Sequence, residues 1–108
     1  MTRIVFYSED GLYRGFSVSG HSGYNDHGAD IVCAAVTSAV RFCEAAVCDA
    51  AGIPADVTVS EQDAAISFFV KERSDEAGNI IRGMKIYFLQ LQDEYPDNIK
   101  VMEEKLNA

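Results

Sequence analysis

The sequence predicts an α+β two-layer sandwich, with elements in the order ββαββαβ and helices packed on a mostly antiparallel or mixed sheet. Two observations predict it. Short runs of β-branched and aromatic residues come in pairs split by turn residues, and two longer stretches carry apolar residues at helical spacing. Helices that return over a sheet bury the apolar face of each layer against the other. The 108 residues suit one domain spanning 1–108, long enough to build a core without staples.

The first strand is read over Arg3 to Ser8 (RIVFYS) and the second over Leu12 to Ser19, with Glu9-Asp10-Gly11 as the turn of a hairpin. In the second strand Leu12, Phe16 and Val18 are placed on one face. Gly20 to Ala29 is a glycine-rich loop, and a helix follows from about Asp30 to Ala51, with Asp30 as N-cap. Gly52 and Pro54 stop it. Val57 to Glu61 and Ala65 to Lys71 form two more strands joined at Gln62-Asp63. A second helix runs from Ser74 to Tyr95, with Ala77, Ile81, Met84, Phe88, Leu91 and Tyr95 on its apolar face. Gly78 and Gly83 argue against it, since glycine costs about 1 kcal/mol relative to alanine inside a helix. Pro96 ends it, and Ile99 to Glu103 is the last strand.

Composition narrows the function. Seventeen acidic against nine basic side chains give a formal charge of −8, which opposes nucleic-acid binding because phosphates require lysine and arginine. The apolar runs are read as too short to cross a bilayer, which takes roughly 20 residues, and no basic segment followed by an apolar one opens the chain. No membrane partner and a cytoplasmic location are therefore expected. The three cysteines, Cys33, Cys43 and Cys48, all fall on the first helix. Their spacing there suits no disulfide, so reduced thiols in a reducing compartment are expected.

The stretch GHSGYNDHGADIVCAAVTSAV, Gly20 to Val40, carries the chemistry. On a helical wheel the polar residues Thr37, Arg41 and Glu44 form one stripe, and Cys33 lies at its edge. It is thus off the apolar face assigned to Ile31, Ala35, Ala39, Phe42 and Ala46. With Asp30 as cap, Cys33 is the third helical residue. There the unpaired N–H groups and positive end of the helix favour a thiolate and can hold an oxyanion. His21, at the end of the second strand and flanked by Gly20 and Gly23, supplies an imidazole; Cys and His are the minimum set for thiol-based acyl transfer. Cys43 and Cys48 read as small core residues. A metal site built from His21, His27 and Cys33 with Asp26 or Asp30 is a rival, but the ligand intervals of six and six exceed the roughly two to five usual in structural zinc sites.

This stretch resembles the signature of the ribosomal-processing cysteine proteases, the Prp family: a Gly-His pair, a glycine-containing loop, then Asp-Ile-Val-Cys-Ala-Ala and a small hydroxylated residue one turn on. Gly20, His21, Gly23, Gly28, Asp30, Ile31, Val32, Cys33, Ala34 and Ala35 match, and Thr37 stands where the family often has serine. The resemblance implies Cys33 as nucleophile and His21 as base, with Gly20, Gly23, Gly28, Asp30, Ala34 and Thr37 in supporting or substrate-loop positions. It implies a homodimer without metal or cofactor. It also implies a substrate, the short N-terminal extension of the twenty-seventh large-subunit ribosomal protein. Two other readings of the same residues are a non-catalytic ribosome-associated binding module and a thiol redox sensor. The sensor has no resolving cysteine nearby on the helix.

Overall fold

The computed structural model describes residues 1–20 and 27–106, the first four of the second segment by backbone alone. The elements are β1 (Thr2–Glu9), β2 (Leu12–Ser19), α1 (His27–Glu44) continued by a π-helical segment (Ala45–Ala50), β3 (Ala55–Ser60), β4 (Ala65–Val70), α2 (Asp75–Glu94) and β5 (Ile99–Lys105). The five strands form one mixed sheet in the order β3-β4-β2-β1-β5. β1 pairs antiparallel with β2 and parallel with β5, and β4 pairs antiparallel with both β2 and β3. This is the expected ββαββαβ α+β sandwich, with both helices contributing to one core against the sheet.

The hairpin β1–β2 turns at Asp10 and Gly11, both at positive φ. Its pairing shifts between Tyr7 and Ser8, so that Ser8 faces Tyr13. A bulge of this kind reverses the side-chain alternation beyond it. The apolar alternation therefore does not run unbroken from Val18 back to Leu12. Tyr13 comes to the core side and meets Phe6 edge-on, with ring centroids 6.2 Å apart. Phe6, Phe16, Phe68 and Phe88 are the largest fully buried side chains. Phe16 stacks on Phe68 at 5.1 Å.

α2 follows its sequence pattern. Ser74 caps it, its hydroxyl accepting from the Ala77 N–H at 3.1 Å. Ala77, Ile81, Met84, Phe88 and Leu91 are buried, and half-buried Tyr95 packs against them. Gly78 has a packing reason: an added Cβ would strike the Leu12 side chain, so the helix approaches the hairpin closely only with glycine there.

α1 departs from expectation in two ways. It starts at His27, so Asp30 is its fourth residue rather than its N-cap. Its buried stripe is Val32, Val36, Val40, Cys43 and Val47, while Ile31 is 45% and Phe42 73% exposed. The core-facing side is turned by about 100° from the assigned one, at about 100° per residue. On that side Val32, Val36, Val40 and Val47 join the four phenylalanines in one buried cluster. By length and composition Ile31–Ala50 would also span a bilayer, contrary to the reading that no apolar run suffices. In this fold those valines are sheet-facing core.

Candidate active site

Cys33 is exposed on α1, next to buried Val32 and one turn before buried Val36. It thus sits at the boundary between the core stripe and solvent. Because α1 begins at His27, Cys33 is its seventh residue, in the second turn. The first-turn position assumed from an Asp30 cap is therefore corrected. The unpaired N–H groups of a helix belong to its first four residues, and the dipole effect falls off within the first turn. An oxyanion site made by Cys33's own amide at the helix tip does not follow.

Cys33 opens onto a cleft of about 280 Å³ between α1 and the ends of four strands. α1 supplies Cys33, Val36 and Thr37, β2 supplies Val18 and leads to Gly20, and Thr2 of β1 closes one side. The far wall is the β3–β4 hairpin, from Val59 through Glu61 to Ile66. Thr37 is one helical turn beyond Cys33 and shares its cleft.

The rim near Gly20 is fixed by backbone. Gly20 has φ +88°, and a Cβ there would collide with the Met1 carbonyl, so only glycine turns the chain at this point. Its N–H donates to the Ala64 carbonyl at 3.1 Å, tying the end of β2 to the β3–β4 turn. Ala64 itself is held at φ +49°, an uncommon conformation for alanine. Within that turn the Asp63 N–H donates to the Ser60 hydroxyl at 3.3 Å.

The other two thiols meet different surroundings. Cys43 is 1% exposed. Burial, then the Glu44 charge and Cys48, push its thiol up to about 12. Cys48 is raised by the same kind of desolvation, followed by Asp49 and Glu44. Neither suits a nucleophile, in keeping with the core reading of both. None of the three forms a disulfide.

Among the residues singled out in the sequence, Gly20, Cys33 and Thr37 line one cleft. Ala34 is exposed on α1 beside Cys33 and is not part of the cleft wall. Gly28 and Asp30 lie in the first turn of α1. His21, Gly23 and the rest of 21–26 fall outside the described residues, as do the side chains of His27 and Asp30. No group of three metal-ligating side chains occurs among the described residues. The hairpin wall of Val59, Ser60, Glu61 and Ala64 was not foreseen. Only the pairing of β4 with β2 brings that turn to α1, and no local motif announces it.

An exposed helical thiol on a preformed cleft, in a small α+β fold, has the makings of a thiol-dependent hydrolase. Residues 1–100 match the family model for cysteine protease Prp. The chain is 31% identical over 91 residues to the ribosomal processing cysteine protease Prp of Bacillus subtilis strain 168, covering 80% of this chain and 81% of that one. It belongs to the cysteine protease Prp family. Two solved structures share the fold. One is the essential ribosomal processing protease Prp from S. aureus, crystallised with a covalently linked product peptide; it superposes with a TM-score of 0.86 at 21% identity, covering 96% of this chain and 100% of that one. The other is SMU.848 from Streptococcus mutans, with a TM-score of 0.88 at 19% identity over 98% and 99% of the two chains.

Proposed function

We propose that this chain is a cytoplasmic cysteine endopeptidase that removes the short N-terminal extension of the twenty-seventh large-subunit ribosomal protein, with Cys33 as nucleophile and His21 as general base. The observation that carries this reading is that Gly20 and Cys33 line the same cleft. His21 is the residue that follows Gly20 in the sequence, which is the Gly-His pair of the family signature. Family membership supports the reaction class, and the Bacillus relative's name supports a ribosomal substrate.

In this mechanism His21 takes the Cys33 proton and the sulfur attacks the peptide carbonyl carbon. The tetrahedral adduct collapses by breaking the C–N bond, and the amine leaves with the proton held by His21. Water, deprotonated by His21, then hydrolyses the thioester and returns the thiol. The chemistry uses no metal or organic cofactor. Thr37, one turn beyond the thiol, lines the floor against which substrate would lie.

A homodimer is part of the same reading. The apolar groove between α1 and α2, lined by Ala39, Ile80, Tyr87 and the 73%-exposed Phe42, supplies a surface for a second subunit to cover. Sedimentation equilibrium of the native chain and of Phe42→Ser tests this. A native dimer that dissociates in the variant supports it, and a native monomer removes it.

The function itself is tested with a synthetic peptide carrying the extension and the first residues beyond it. Cleavage by the native chain, abolished in both Cys33→Ala and His21→Ala, is the expected outcome. Binding without cleavage would instead identify a ribosome-associated module.

A further inference from the structure

We infer that Val57, Val59 and Ile66 form the subsite that takes the apolar side chains of the peptide beside the scissile bond. The inference rests on the peptidase reading and adds the residues that select the substrate.

Register fixes where these side chains point. Val57 pairs with Phe68 and Val59 with Ile66 across β3–β4. Cross-strand partners share a face of the sheet. Phe68 is fully buried in the core, so Val57 and Val59 also face the helix layer. Yet they are 45% and 64% exposed, because the helices stop short of β3, the edge strand. Edge strands usually carry charge or proline where they are open, and two bare valines there are a liability unless something covers them.

This surface reaches the Cys33 cleft at Val59, and Val57 lies two residues further along the same face of β3. Val59 and Ile66 line that cleft together with the thiol. Ile66, Val18, Val36 and Thr37 also line a second hollow, which runs along α1 to Arg41 and Glu44. An extended peptide with its carbonyl at Cys33 would therefore pass over an apolar floor. Alternate residues of such a peptide project to the same side at intervals of about 6.8 Å, twice the rise per residue of a strand. Val57 and Val59 are themselves two strand residues apart and offer two contacts at that interval. The occupant the floor fits is thus an extended peptide with apolar groups at alternate positions.

The test is a cycle between enzyme and substrate. Val57→Thr/Val59→Thr keeps β-branching at exposed strand positions and replaces a methyl by a hydroxyl in each. Peptides carry single alanine replacements of the apolar residues flanking the cleaved bond. The variant is expected to unfold at the native temperature and to lose about tenfold or more in kcat/KM on the unmodified peptide, mainly through KM. For the one or two peptides whose alanine removes the group seated on the valines, the variant adds no further loss. Native kcat/KM in the variant, or losses that multiply for every peptide, would overturn the subsite. Failure of the native chain to cleave the unmodified peptide would instead refute the peptidase reading, and the subsite with it.

Discussion

Cys33 and Cys43 stand ten residues apart on α1 and meet opposite surroundings: Cys33 faces solvent at the mouth of a cleft, and Cys43 lies in the core with 1% of its surface exposed. Alkylation with iodoacetamide, followed by peptide mass spectrometry, should mark Cys33 in the folded chain at neutral pH. Cys43 should stay unmodified until the chain unfolds, since only thiolates react and its thiol is pushed up to about 12. Equal labelling of both in the folded chain would contradict this assignment.

The same burial sets an alkaline limit. The folded Cys43 thiol ionises only near 12, whereas an unfolded one does so near 9.0. Above 9.0 the unfolded state therefore holds fewer protons, and stability falls as pH rises from there toward 12. Urea unfolding at pH 8 and pH 10 should show a lower midpoint at pH 10, and Cys43→Ala should flatten that slope. An unchanged slope in the variant would assign the alkaline loss to other groups.

At acid pH the relevant cluster is Lys85, Glu103 and Tyr13. Lys85 Nζ donates to Glu103 Oε1 at 2.5 Å and to the Tyr13 hydroxyl at 3.0 Å, and Tyr13 donates to the same carboxylate oxygen at 2.6 Å. Lys85, then Tyr13, hold Glu103 below its ordinary 4.5. A lowered carboxylate stabilises the fold fully above 4.5, and the contribution is lost as pH falls through the lowered value. Glu103→Gln should unfold more easily than the native chain at pH 7 and match it more closely at the acid end. A gap that stays constant with pH would show that the charge is not involved.

The two glycines of α2 should respond in opposite ways to alanine. Gly83 has open space around an added Cβ, so Gly83→Ala should gain about 0.5–1 kcal/mol from helix propensity. Gly78→Ala should lose stability by roughly 1–3 kcal/mol as Leu12 is forced aside. Ser74→Ala should cost about 1 kcal/mol through the lost cap. Denaturant unfolding of the three variants checks each, and a stabilised Gly78→Ala would mean that the helix and hairpin are not in tight contact.

The sequence announced these elements unevenly, for physical reasons. α2 was legible because Ser74, Tyr95-Pro96 and a strong apolar spacing all agree. α1 was harder: alanines at 34, 35, 39, 45 and 46 give little contrast between its faces, and Phe42, the largest apolar group on it, lies outside the core. Its start was misplaced because Asp30 is a good cap by residue type, while the helix extends one turn further toward the glycines. Cys33 was distinguishable from the other two cysteines by its place beside the polar stripe. The cleft opposite it was not, because Val59, Glu61 and Ala64 reach α1 only through strand pairing.

Cleavage of a ribosomal protein extension by the Cys33 sulfur can be read from mass alone. The most direct measurement is the intact mass of the extended ribosomal protein after incubation with the native chain and with Cys33→Ala. The native chain should leave a single product lacking the N-terminal extension, and Cys33→Ala should leave the full-length mass. An intact substrate after incubation with native protein, or the same product from Cys33→Ala, would contradict it.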